Sequence, residues 1–278
     1  MTTLEFITAT EGYFARHGVD SPKFTAELML AEALQKKRLQ LYLEFDKEIL
    51  PSVLDILRPL VKRRAQGEPL QYIQGFAEFA GARFTVTPDV LIPRPETELL
   101  LEALLPKIDP SGLGAPLADI GTGSGILAVT LARRFPQLQV HAVDASEAAL
   151  AVAKRNSAEL TNLTFHHGDL LAPLPDIPFQ ALVANLPYIP SADIGTLSRE
   201  VQKEPHTALD GGPDGLDLIR RLLSQIAARP ALSPKTIGLE IGDGQAITVE
   251  ALLKETGFGT VETIKDLRGT VRILIGNA

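Results

Sequence analysis

Two short stretches of this 278-residue chain hold residue types that could do chemistry. The first is Gly121-Thr122-Gly123-Ser124-Gly125, set directly after the apolar run PLADI and directly before ILAVTLARRF. Glycines in a strand-to-helix turn permit a tight backbone and close approach of a ligand. The helix N-terminus that follows offers free N–H groups and a partial positive charge. A nucleotide-like ligand is implied. Asp144 ends the next apolar run, at the distance from which a carboxylate reaches the two hydroxyls of a ribose. A tight turn that binds nothing would not need this second acid. The other stretch is Asn185-Leu186-Pro187-Tyr188, which follows the strand-like FQALVA. It falls at the carboxyl edge of a sheet beside the glycine turn, where ligands of open α/β sheets bind. A strand-ending turn in which Asn185 and Pro187 serve geometry alone is the blander explanation, and the address weighs against it.

The glycine spacing bears on the cofactor. Dinucleotide sites use G-x-G-x-x-G, whereas Gly121, Gly123 and Gly125 are spaced G-x-G-x-G, with Ile126 where a third glycine would fall. Asp119 stands two residues before the turn, and Asp-x-Gly-x-Gly-x-Gly resembles motif I of the S-adenosylmethionine-dependent methyltransferases. Asn185 to Tyr188 resembles the (Asn/Asp/Ser)-Pro-Pro-(Tyr/Phe) signature of methyltransferases that act on planar amino groups, such as adenine and glutamine amides. A carboxamide nitrogen shares its lone pair with its carbonyl and is a poor nucleophile, so a site must hold it facing the sulfonium methyl and accept its hydrogens. The Asn185 side-chain oxygen and the Leu186 carbonyl are two suitable acceptors, and Tyr188 can pack against the flat amide. Fixed dipoles of this kind stabilise charge developing on nitrogen, and alignment supplies much of the rest. Leu186 stands where the signature has Pro; its carbonyl keeps the contact while some rigidity is given up. Asp169 and Leu170, after the third strand of this region, would border the adenine, although an ordinary polar turn explains them equally well. His166 and His167 are adjacent on a strand and point to opposite faces, so they cannot chelate one ion, and no metal is expected.

These residues need a frame. Up to about residue 74 apolar residues recur three and four apart, as in Leu28, Leu30, Ala31 and Leu34, which predicts a small helical bundle. One helix starts at Asp20 or Ser21 as N-cap with Pro22 behind it, and another opens at Pro51 and Ser52. FAEFAGARFTVTPDVLIP reads as two short antiparallel strands about Gly81, a hairpin linker over 75–93. Pro95 begins a further helix, and from residue 115 strand-like and helix-like segments alternate, with helices from Ser124 and Ser146 among them. Such alternation implies a parallel sheet with helices on both faces. The expected domains are 1–74, helical; 75–93, linker; and 94–278, α/β and Rossmann-like.

Composition narrows the function. With 27 Lys and Arg against 34 Asp and Glu the net charge is −7, and residues 1–90 hold 11 basic against 12 acidic side chains, so neither part is a basic module of the kind that releases counterions from a phosphate backbone. The one dense cluster, Lys62, Arg63 and Arg64, reads as a solvated helix end that complements the helix dipole. The absence of Cys removes disulfides, thiolate nucleophiles and Cys-ligated metals. No apolar run reaches the ~18 residues that cross a bilayer, and no leader is apparent. A cytoplasmic protein without direct contact to membrane or nucleic acid is expected.

PLQYIQG from Pro69, FAGARFTV from Phe79, VLIPRPETE from Val90, DIGTGSG, NLPYIP, EPHTALDGGPDGL from Glu204, LEIGDGQ from Leu239 and DLRGTVR from Asp266 together resemble the release-factor glutamine methyltransferases, the HemK/PrmC family. The resemblance spans nearly the whole chain. It implies a class I S-adenosylmethionine-dependent methyltransferase fold with an N-terminal helical substrate-recognition domain. The implied substrate is the glutamine of the Gly-Gly-Gln loop in class I peptide chain release factors. By position, Gly121 to Gly125 and Asp144 would bind S-adenosyl-L-methionine, with Asp169, Leu170 and Asn185 beside it. Asn185 to Tyr188 would bind the glutamine amide, Asn185, Pro187 and Tyr188 carrying the catalysis, and Arg94 would shape the mouth of the site. A rigid linker explains the prolines around Arg94 equally well, and for Glu204 and DGGPDG a loop role is at least as good as a catalytic one. Two competitors remain: a nucleic-acid amino-group methyltransferase acting on a flipped adenine-type base, which the acidic charge opposes, and a non-catalytic NAD-binding module, which Asn185 to Tyr188 oppose.

Overall fold

A computed structural model describes residues 1–111, 114–232 and 234–278. The chain forms two compact units, Met1–Phe76 with Ser198–Lys203, and Ala77–Leu197 with Glu204–Ala278.

The first unit is helical: α1 (Thr3–Arg16), α2 (Pro22–Ala33), α3 (Arg38–Tyr42), α4 (Pro51–Ala65) and α5 (Leu70–Gln74). Thr2 and Glu5 form a reciprocal capping box at the start of α1, satisfying two orphan N–H groups. The start of α2 departs from expectation, because Ser21 is left-handed and its side chain makes no cap bond. The Asp20 carbonyl instead accepts from the Thr25 hydroxyl at 3.2 Å, and Pro22 alone marks the helix start. Phe14, Leu30, Leu41 and Leu57 are fully buried and centre the core. Arg64 corrects the reading of a solvated helix end. It is 3% exposed, pairs with Glu200 and donates to the Glu68 carbonyl at 3.1 Å. The segment that supplies Glu200 comes from far along the chain, which no local pattern could show.

A hairpin follows, β1 (Phe76–Phe79) and β2 (Ala82–Thr85), all of it but Phe76 in the second unit. Its turn, Ala80-Gly81, has φ of 48° and 74°, the double left-handed geometry of a two-residue hairpin loop. The Ala80 N–H donates to Glu98 Oε1 at 2.9 Å, which ties the strained residue to α6 (Pro95–Leu104). A seven-stranded sheet follows: β3 (Leu117–Ile120), β4 (Val140–Asp144), β5 (Leu163–His167), β6 (Ala181–Ala184), β7 (Thr236–Glu240), β8 (Thr260–Lys265) and β9 (Val271–Asn277), in the order β5-β4-β3-β6-β7-β9-β8. The strands from β5 to β7 are parallel, but β9 runs antiparallel to both of its neighbours, so the expected parallel sheet is mixed. Helices α7 (Ile126–Arg134), α8 (Glu147–Asn156), α9 (Asp217–Ala228) and α10 (Ala246–Thr256) complete the fold. The central strands β3, β6 and β7 are buried along their whole length, as covered parallel strands must be, whereas β5 and β8 at the two edges are partly exposed. Leu182 and Ile237 join α9 and α10 in one core, while Ala181 and Val183 join α6 and α7 in the other.

β3 is the point where strand order reverses, β4 lying on one side and β6 on the other. Ile120 is level with Val143 and with Ala184. That register brings Gly121, Asp144 and Asn185 to one edge, at the crevice where open α/β sheets bind ligands.

Candidate active site

A cleft at that edge encloses, with the solvent at its mouth, about 1020 Å³, room enough for a nucleoside-sized ligand and a reacting group. Gly121, Thr122, Gly123 and Ser124 line one wall. Gly121 has φ of 74°, and a Cβ there would lie 2.9 Å from Leu186 Cδ2, so the position needs glycine both for conformation and for space. Gly125 is the exception in the motif. It does not line the cleft, and its missing Cβ would meet Ala153 Cβ at 3.0 Å; it lets α7 approach α8. The helix proper starts at Ile126, two residues later than Ser124.

Two acids face the glycine turn. Asp144 Oδ2 accepts from the Gly123 N–H at 2.8 Å and Oδ1 from the Ser146 N–H at 2.9 Å, leaving each oxygen a further lone pair. Burial raises its pKa above the usual value, and those backbone bonds pull against the rise. Asp119 is fully buried; its Oδ2 accepts from the Thr122 hydroxyl at 2.6 Å and the Ala128 N–H at 3.0 Å, while Oδ1 has no partner among the described residues. Desolvation pushes its carboxyl up to about 7. A buried, unsatisfied carboxylate oxygen in the wall of a cleft suits a cationic group of a ligand. Asp169 and Leu170 also line the cleft; Asp169 is exposed and ion-paired with Arg221, and Leu170 is buried with φ of 49°.

Asn185, Leu186 and Pro187 also line the cleft, beside Gly121. The Asn185 amide donates through Nδ2 to Thr97 Oγ1 at 3.0 Å, and the Thr97 hydroxyl donates to Glu240 Oε2 at 2.7 Å. Tyr188 lies outside the lining. Its hydroxyl donates to Glu240 Oε1 at 3.3 Å, and burial together with the Glu240 charge raises its pKa. Glu240 itself is 1% exposed, and desolvation lifts it to about 7 against the bonds from Thr97 and Tyr188. Leu186 puts its side chain into the core below the turn, so it contributes packing as well as a carbonyl. The glycine-rich loop supports the same turn from behind. A Cβ on Gly211 would lie 2.6 Å from the Pro187 carbonyl, and one on Gly215 would lie 2.1 Å from that of Tyr188. Gln245 Nε2 donates to the Tyr188 carbonyl at 2.9 Å.

Arg94 lines the cleft and pairs at 2.5 Å with Glu204, which also accepts from the Ile92 N–H at 2.9 Å. Glu204 is thus a buried brace beside the mouth. Thr97 and Glu240 escaped the sequence reading although both sit inside quoted motifs, VLIPRPETE and LEIGDGQ. Hydroxyl and carboxylate are far apart in sequence, and neither is unusual alone. His166 is level with Val143 on β4, and its Nε2 lies 2.8 Å from His141 Nδ1, whereas His167 Nε2 lies 3.0 Å from the Ala145 carbonyl. Burial lowers the pKa of His141 and His166. Among the described residues no group of three or more His, Cys, Asp or Glu side chains is placed to hold a metal ion.

Residues 5–75 match the family described as PrmC N-terminal domain, and residues 117–204 match a methyltransferase domain family. A release factor glutamine methyltransferase of Geobacter sulfurreducens is 43% identical over 270 residues, covering 96% of this chain and 93% of the relative. One from Moorella thermoacetica is 41% identical, covering 94% and 93%. Among solved structures, the catalytic domain of hMettl16 in complex with MAT2A 3'UTR hairpin 6 is similar with a TM-score of 0.56 at 15% identity, covering 78% of this chain and 81% of that one. The T. Thermophilus 16S rRNA methyltransferase RsmC in complex with AdoMet and guanosine gives 0.53 at 24%, covering 73% and 49%. These structural likenesses establish the class I methyltransferase fold. With its curated relatives so similar over nearly the full length of both sequences, the chain belongs to the release factor glutamine methyltransferase family.

Proposed function

We infer that the chain transfers a methyl group from S-adenosyl-L-methionine to the side-chain amide nitrogen of the glutamine in the Gly-Gly-Gln motif of class I peptide chain release factors. The observation that carries the reading is the committed orientation of Asn185: Nδ2 is given to Thr97, so Oδ1 is the acceptor left for an incoming NH₂ group. The Leu186 carbonyl is the second acceptor. The residues around the cleft fit the cofactor. Gly121 to Ser124 offer a backbone that a ligand can approach closely, Asp144 offers carboxylate lone pairs to ribose hydroxyls, and the unsatisfied Asp119 Oδ1 suits an ammonium group. Asp169 and Leu170 border the adenine. When bound, the cofactor supplies an electrophilic methyl on a sulfonium.

The chain's own work is positional. Asn185 and Leu186 take the two amide hydrogens, which places the nitrogen and stabilises the positive charge it gains during transfer. No base is needed beforehand, because the methylated nitrogen is acidic and loses its proton late. Pro187 stiffens the turn, Tyr188 backs it through Glu240, and Arg94, braced by Glu204, shapes the mouth. Residues 1–74 serve as the release-factor recognition domain and 75–93 as its linker, and the reaction belongs in the cytoplasm. No helix among the described residues is long and apolar enough to cross a membrane.

The test is incubation with labelled S-adenosylmethionine and, separately, release factor or duplex DNA, with mass spectrometry to locate the methyl. Label on the Gly-Gly-Gln glutamine is expected. Label in DNA with none in release factor would reject the reading. Asn185→Ala should lose about 10² to 10³ in kcat, the scale of removing one fixed oxyanion-type partner.

A further inference from the structure

Glu240 ends β7 at the same sheet edge as Asn185, and Thr97 lies in the first turn of α6. Both are buried, Thr97 completely, and both stand behind the Asn185–Tyr188 turn. With Glu240 ionised, the direction of their hydrogen bonds is fixed. A Thr hydroxyl has one hydrogen, and an ionised carboxylate can only accept. The hydrogen of Thr97 Oγ1 therefore goes to Glu240 Oε2, at 2.7 Å. What Thr97 can offer Asn185 at 3.0 Å is a lone pair, so the partner must be an Asn185 N–H. The two ends of an amide are otherwise nearly equivalent in shape and are told apart only by such a network.

We propose that Thr97 and Glu240 are positioning residues that set the polarity of the Asn185 amide, committing its NH₂ to Thr97 and leaving its oxygen to accept from a ligand. The inference rests on the reading of Asn185 as the acceptor for a substrate NH₂ group. Without Glu240 the Thr97 hydroxyl is free to donate to Asn185 Oδ1, and the amide can turn over. It would then present NH₂ to an incoming NH₂, two donors without an acceptor. The other oxygen of Glu240 accepts from Tyr188 at 3.3 Å. One carboxylate thus orders the first and last residues of the Asn185–Tyr188 turn.

Two variants remove the relay without removing bulk. Thr97→Val deletes the hydroxyl. Glu240→Met deletes both acceptors while keeping similar bulk; it leaves the Tyr188 hydroxyl without its partner, so thermal unfolding accompanies the kinetics to show that the variant is folded. At saturating release factor and cofactor each should lower kcat by roughly tenfold or more, the scale of a lost buried hydrogen bond to a charged group. The calorimetric affinity for S-adenosylmethionine should stay within about twofold, because neither residue touches the glycine turn or Asp144. Thr97→Ser keeps the relay and should stay within about threefold of the parent. The decisive measurement is the double variant. If Thr97 acts through Asn185, then Thr97→Val in an Asn185→Ala background causes no further loss, whereas a merely structural role multiplies the two losses. Multiplied losses, or full kcat in both Thr97→Val and Glu240→Met while Asn185→Ala is slow, would overturn the proposal and leave the site reading intact. A fully active Asn185→Ala would overturn the acceptor reading itself, and the relay with it.

Discussion

Replacing Asp119 with Asn should make the cofactor-free protein more stable and its cofactor binding weaker. Asp119 is fully buried, with its carboxyl pushed from the usual 3.8 to about 7. One pKa unit is about 1.4 kcal/mol, so ionising this group in the fold costs at most about 4 kcal/mol at pH 8. Asn keeps the bond from Thr122 and the bond from Ala128 through its oxygen. Its NH₂ then takes the place of the unpartnered Oδ1, and an unsatisfied buried donor gives back ~1–3 kcal/mol. The balance is a gain of roughly 1–3 kcal/mol, or several degrees in Tm for a chain of this size. Because the folded pKa lies above the unfolded one, the stability tied to Asp119 is complete below about pH 4 and is lost as the pH climbs through about 7. The gap between variant and parent should therefore open across that window and stay flat above it. In acid the variant should hold no advantage. Other carboxyl groups, Glu240 and Asp144 included, are shared by both proteins and largely cancel in the difference. Thermal unfolding of the two ligand-free proteins from pH 4 to pH 8 reads the effect. Calorimetry at pH 8 should show S-adenosylmethionine bound roughly tenfold or more weaker, for loss of a charged acceptor. Equal stability of the two proteins at pH 8 would refute the claim that the fold carries an uncompensated carboxylate there.

Three further outcomes follow from the same geometry. Gly215→Ala needs φ of 77° and puts a Cβ 2.1 Å from the Tyr188 carbonyl, so the Asn185–Tyr188 turn must shift; kcat should fall at least tenfold, the scale of a misplaced reacting group, with S-adenosylmethionine affinity by calorimetry nearly unchanged. Leu186→Ala removes a side chain that is 3% exposed in the core below the turn and should cost ~2–5 kcal/mol in denaturant unfolding. Asp144→Ala should weaken cofactor binding by roughly 1.5–3 kcal/mol, and unchanged affinity by calorimetry would remove Asp144 from the site.

What the sequence makes legible is what local rules dictate. The glycine turn, its acid and the Asn185 turn each sit at the end of a short apolar strand, and a parallel register alone brings such ends together, so their meeting at one edge follows from the alternation of elements. The hairpin is legible for the same reason, since Ala80-Gly81 is a local device. The reversed strand was within reach as well. The Asp266–Thr270 link between β8 and β9 is too short for a parallel crossover, which takes about a dozen residues, so alternation alone misled there. The relay is of another kind. Thr97 and Glu240 meet only because α6 packs against the end of β7, and Arg64 is buried only because a distant carboxylate reaches it. Buried polar groups are costly unless partnered, so in a folded chain each demands its complement, but the demand names no address. Gly125 shows the converse case: a residue placed in the binding motif by spacing turns out to serve the approach of two helices. Spacing identifies a motif; whether each member faces ligand or scaffold is decided by the packing behind it, and in this site that packing includes the hydrogen bond that tells the oxygen of Asn185 from its nitrogen.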